Sequence, residues 1–174
     1  MALLRGYADD LPLDEWLNGR IWPAEQRLVD ADFVRDGARL AVAEMLRGGT
    51  TCFADMYFFP EIVAAVSAEA GIRAVIGLIV IDFPSAWAVD VDDYLHKGQR
   101  LHNQMRSHSL VRTAFAPHAP YSVPEDALRR VAVLAEETDV PVCMHVHETA
   151  GEAERSIAEH GARPLARLEA LGLL

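Results

Sequence analysis

A chain of 174 residues that is 51% hydrophobic and 24% charged carries enough apolar material for one domain with a real core. A net charge of −10 excludes the basic surface with which proteins neutralise nucleic-acid phosphates, and it repels anionic membrane surfaces. No apolar run approaches the ~20 residues that span a bilayer, and the opening MALLRGYADD lacks the apolar stretch of a secretory signal. Two cysteines, Cys52 and Cys143, sit in apolar runs and read as small hydrophobes rather than a disulfide framework. The compartment expected is the cytoplasm.

The first 27 residues read as a surface helix carrying Trp16 and Trp22, with Glu25 the one acid there that suits a ligand-binding role. Asp32–Arg47 has the apolar spacing of an amphipathic helix, stopped by Gly48-Gly49. Thr50–Tyr57 is short, β-branched and aromatic, which predicts a buried strand. Pro60–Ala70 reads as a helix ended by Gly71. Arg73–Ile81 is a continuous apolar run, the mark of a strand covered on both faces. A helix over Asp90–Ser107 and a strand over Val111–Ala116 follow. Pro124–Glu137 is helical, with Ser122 as its expected cap and Pro124 near its first turn. Val140–Val146 is the fourth predicted strand, and Ala150–His160 and Pro164–Leu171 are the last helices.

Strands alternating with helices of this length predict βαβ units and a parallel sheet. About four strands make either a small open α/β sheet or part of a (β/α)8 barrel, which takes ~250 residues. In a barrel the chemistry lies at the C-terminal strand ends. Two predicted ends carry histidine: Pro117-His118-Ala119-Pro120-Tyr121 and His145-Val146-His147-Glu148-Thr149. On a strand His145 and His147 share a face, and neutral imidazole is a good zinc or iron ligand. Glu148, just past the strand end, is within reach of a metal-bound water and can move its proton. The other reading is a polar mouth with hydrogen-bonded histidines and Glu148 capping the next helix. Prolines around His118 stiffen its loop, so that imidazole either contacts a substrate or is satisfied by a backbone group. His96, His102, His108 and His160 fall on helices with charged neighbours and carry no expected role.

The strings LLRGYADDLPLDEWL, RIWPAEQR, GGTTCFADMYFFPE, APHAPYSVPEDAL and MHVHETAGE, taken in order, resemble the amidohydrolase superfamily. Within it they resemble the 5′-methylthioadenosine/S-adenosylhomocysteine deaminases and their triazine chlorohydrolase relatives. The resemblance implies a metal-dependent TIM barrel, with residues 1–174 an internal fragment covering barrel strands two to five and outer helices. It implies hydrolytic deamination of a small purine nucleoside. His145 is the implied ligand of one zinc or iron ion, and Glu148 the implied proton shuttle. His118 is the implied contact to the substrate ring, and Glu25 the implied ligand of the ribose hydroxyls. His147 falls where the family varies and stays outside the metal set. The family's upstream HxH pair is absent here, as are its strand-six histidine and strand-eight aspartate. One metal ligand of about four therefore remains. Some members carry arginine where Leu78 stands, a substrate contact that the stretch Asp82–Trp87 is expected to replace. Open strand edges invite a second copy, which keeps a homo-oligomer among the expected partners. The alternatives are a chlorohydrolase or aminohydrolase acting on triazine or guanine-type rings, and an inactive truncated piece.

Overall fold

A computed structural model describes residues 1–174. A short 3-10 turn (Ala2–Leu4) leads into α1 (Leu13–Trp16), a π-helical turn (Leu17–Ile21) and α2 (Trp22–Leu28). The rest runs α3 (Ala31–Arg47), β1 (Cys52–Asp55), α4 (Pro60–Ala70), β2 (Arg73–Val80), α5 (Val91–Met105), β3 (Val111–Pro117), α6 (Glu125–Thr138), α7 (Ala150–His160) and α8 (Pro164–Ala170). The three strands form one parallel sheet in the order β1-β2-β3. None of the helices is long and apolar enough to cross a membrane.

β2 is the centre of the sheet and is buried on both faces, as its unbroken apolar run requires. Ile76, Leu78, Tyr94, Phe115, Leu128 and Val131 are fully buried in the main core. Helix starts follow local chemistry. Asp30 caps α3 by accepting the Phe33 N–H at 2.8 Å, and Asp90 caps α5 by accepting the Asp93 N–H at 2.8 Å.

Several expectations need correction. The N-terminal 27 residues are not one helix: a 3-10 turn (Ala2–Leu4) stands apart from the helical stretch that begins at Leu13 and passes through the π-helical turn Leu17–Ile21. β1 is an open edge with Cys52 exposed, because no strand pairs with its other side; Cys143 is exposed as well, and both thiols are free. Ser122 does not cap α6: Pro124 stands at the cap position without a side-chain bond. Leu78 points between the sheet and α5, with its Cβ 3.2 Å from where a β-carbon on Gly98 would lie. Residue 78 thus belongs to the helix-facing layer, packed against α5.

The fourth expected strand, Val140–Val146, forms only a single bridge, Val142 to Phe115. The reason is covalent. The Phe115 N–H donates to the Pro141 carbonyl and the Cys143 N–H donates to the Phe115 carbonyl, both at 2.8 Å. The next rung of a parallel ladder would be donated by residue 117, which is proline and has no N–H. The ladder stops there, and the His145 N–H donates instead to the His118 carbonyl at 3.0 Å.

The inner face of the sheet is crowded where β1, β2 and β3 meet. A β-carbon at Gly77 would lie 2.7 Å from the Asp55 carbonyl oxygen and 2.8 Å from Ala116 Cβ. Gly77→Ala is expected to destabilise the fold by about 1–3 kcal/mol, since neither neighbour is a flexible side-chain tip. Urea denaturation measures this, and an unchanged midpoint would refute the packing assignment.

Candidate active site

The mouth is assembled by backbone bonds between neighbouring strand ends. The His118 N–H donates to the Val80 carbonyl at 2.9 Å and the Asp82 N–H to the Ser122 carbonyl at 3.0 Å, which ties the loop after β3 to the end of β2. With His145 N–H bound to the His118 carbonyl, the two imidazoles stand edge to face with centroids 5.4 Å apart.

His118 is half-buried. Its Nδ1 lies 2.7 Å from Ser122 Oγ, whose own proton is directed to the Ala119 carbonyl at 3.3 Å. Ser122 therefore accepts from Nδ1–H, and the lone pair is left on Nε2. Burial, helped by neighbouring His145, pushes the His118 pKa down to about 4, so the ring is neutral near pH 7.

Glu148 is exposed at the rim and held by Tyr121, whose hydroxyl donates to Oε2 at 2.7 Å. Burial first, and the Glu148 carboxylate second, raise the Tyr121 pKa, so the phenol remains a donor. Oε1 of Glu148 makes no hydrogen bond within the chain. On the opposite wall Glu25, only 8% exposed, accepts from the Tyr57 hydroxyl at 2.6 Å. Burial raises the Glu25 pKa, and the Tyr57 bond opposes that rise. Trp22 of the same helix packs on Phe83 with centroids 5.3 Å apart, which carries α2 over the end of β2.

These walls enclose a cavity of about 190 Å³ lined by Glu25, His118, His145 and Glu148 together with Trp22, Ile79 and Phe83. All four residues expected to form a site thus meet at one place, although 123 positions separate Glu25 from Glu148. His147 does not join them. Its φ of +60° turns the chain out of the strand path and breaks the two-residue alternation that pairs it with His145 on paper. Glu148 does not cap α7; Thr149 does, accepting the Glu152 N–H at 3.1 Å. Of the tyrosines that hold the two acids, Tyr57 is expected from the sequence only to support the mouth, as part of Asp55-Met56-Tyr57, and Tyr121 has no expected role, although each lies inside a string quoted for the resemblance.

A zinc site wants three or four protein donors. No three His, Cys, Asp or Glu side chains converge here, and Nδ1 of the nearest second imidazole is committed to Ser122. Asp55, at the end of β1, is buried with Oδ2 unpartnered, and burial raises its pKa, yet it completes no such group. These 174 residues alone do not fit a metal ion.

The chain matches the Amidohydrolase family over residues 1–174 and belongs to it. It is 55% identical over its whole length to a protein of Saccharophagus degradans named 5-methylthioadenosine/S-adenosylhomocysteine deaminase, of which it covers 39%. It is 43% identical to a 5′-deoxyadenosine deaminase of Methanopyrus kandleri, covering 40% of that chain. Among solved structures, an adenosine deaminase of Xanthomonas campestris with bound zinc superposes with a TM-score of 0.96 at 53% identity. That match covers 99% of this chain and 39% of the other. An atrazine chlorohydrolase of Arthrobacter aurescens shares the fold, with a TM-score of 0.81 at 21% identity over 94% of this chain and 41% of its own. The chain thus spans about two fifths of the length of the relatives it matches.

Two outcomes follow. The 174-residue chain in isolation is expected to retain less than one zinc per molecule after dialysis, because one imidazole is a weak site; stoichiometric zinc by atomic absorption would refute this. In the full-length protein, Tyr121→Phe is expected to lower kcat roughly tenfold with little change in KM, the scale of one hydrogen bond to a charged group. Unchanged kcat would show that Tyr121 does not hold a working Glu148.

Proposed function

We propose that these 174 residues are barrel strands two to five of a longer cytoplasmic enzyme that hydrolyses the 6-amino group from an adenine nucleoside of the 5′-methylthioadenosine/S-adenosylhomocysteine type. The observation that carries this reading is the single cavity that brings Glu25, His118, His145 and Glu148 together. Relatives named as deaminases of such nucleosides, matched along the whole of this chain, support it.

In the net reaction water adds to the ring carbon that bears the amine, and ammonia leaves. Glu148 suits the proton traffic: one oxygen is fixed by Tyr121 and the other is free to take a proton from water and return it to the ring nitrogen. His118, neutral and with its lone pair on Nε2, serves as an acceptor for a substrate N–H or for the attacking water. Glu25 presents a buried carboxylate beside Tyr57, suited to a pair of ribose hydroxyls, while Trp22 and Phe83 offer apolar surface to the ring. His145 is the one imidazole offered to the zinc or iron that the resemblance calls for. The remaining ligands belong to the longer protein.

The test is Glu148→Gln in the full-length protein, assayed with methylthioadenosine. Turnover is expected to fall by at least about 10²-fold, the lower range for loss of a general acid–base group, with metal content and KM retained. Wild-type turnover in this variant would refute the role of Glu148.

A further inference from the structure

We propose that Glu152 is a positioning residue that sets the orientation of the Glu148 loop, an inference that rests on the deaminase reading of Glu148. Glu152 is an acid in the first turn of α7, yet it is only 5% exposed. Both of its oxygens are engaged by consecutive backbone groups. The His147 N–H donates to Oε1 at 3.1 Å and the Glu148 N–H donates to Oε2 at 2.7 Å. Ser85 Oγ and His108 Nδ1 also accept from successive amides, but each does so with a single atom and in another loop; Glu152 spends one oxygen on each amide of the loop that carries Glu148.

The sequence Thr149-Ala-Gly-Glu152 has the form of a capping box, in which the acid returns to the amide of the cap residue itself. Thr149 plays the ordinary half, accepting the Glu152 N–H at 3.1 Å. The carboxylate departs from the pattern and reaches one and two residues further back, to Glu148 and His147. Its bonds therefore hold the loop rather than the helix end. That loop needs holding, because His147 is a non-glycine residue at φ +60°, a conformation that persists only when its surroundings impose it. The turn at His147 directs the chain from the His145 backbone, anchored on His118, to a point where the Glu148 side chain meets Tyr121. Glu148 is thus fixed twice, at its carboxylate by Tyr121 and at its backbone by Glu152.

The two halves of the motif separate in an experiment on the full-length protein. Glu152→Gln keeps the size of the side chain but turns an NH2 group toward one of the two amides. It is expected to lower kcat about 10–100-fold, the scale seen when residues that orient reactive groups are replaced, with KM within about threefold. Amide hydrogen exchange at His147 and Glu148 is expected to quicken at the same time. Thr149→Ala, which removes the helix cap and leaves the Glu152 carboxylate in place, is expected to lower the melting temperature while keeping kcat and slow exchange at 147 and 148. Glu152→Gln with wild-type kcat and slow exchange, or two variants that lose activity only in step with stability, would overturn the proposal. Should the wild-type protein deaminate no adenine nucleoside, the deaminase reading fails; unchanged exchange at 147 and 148 in Glu152→Gln would then still overturn the positioning role, and quickened exchange would support it.

Discussion

The mouth of this domain depends on an N–H that is not there. β3 ends in Pro117, and proline donates nothing to a ladder. The segment after Val140 is therefore held beside β3 by bonds around Phe115 and then released from strand geometry. The next bond, from the His145 N–H to the His118 carbonyl, joins two loops rather than two strands. It fixes the spacing of the two imidazoles, and it starts the chain on the turn that His147 completes.

Two tyrosine–carboxylate pairs bracket the cavity that results. On one wall Tyr57 holds a buried Glu25, and on the other Tyr121 holds an exposed Glu148. The environments differ, and so do the roles they suit. Burial raises the Glu25 pKa against the opposing hydrogen bond from Tyr57. Glu148 is exposed to solvent. Neutral His118 lines the same cavity without adding a cation to it.

The sequence made the helices and the two central strands legible, because those segments have one strong local signal each. The apolar run Arg73–Ile81 and the Gly71 stop are examples. It also carried the four residues of the cavity, through strings whose order resembles one family. Four features were out of reach, each for a physical reason. The weakness of the fourth strand depends on a missing donor in its neighbour, not on its own residues. Ser122 reads as a cap from its position before Pro124, but its hydroxyl is taken by His118. The paired look of His145 and His147 assumes a regular strand, which the left-handed turn at 147 abolishes. The engagement of Glu152 and Tyr121 with the Glu148 loop needs tertiary structure, since a capping motif and a loop tyrosine each have commoner uses.

The chain belongs to the Amidohydrolase family, and one cavity brings Glu25, His118, His145 and Glu148 together. The most direct measurement is the initial rate of the full-length protein on methylthioadenosine, S-adenosylhomocysteine and adenosine, followed by the loss of adenine absorbance with ammonia release measured in parallel. The account predicts stoichiometric ammonia from at least one of the three, with the absorbance change of deamination. No ammonia from any of them, with a metal-loaded and folded protein, would contradict it.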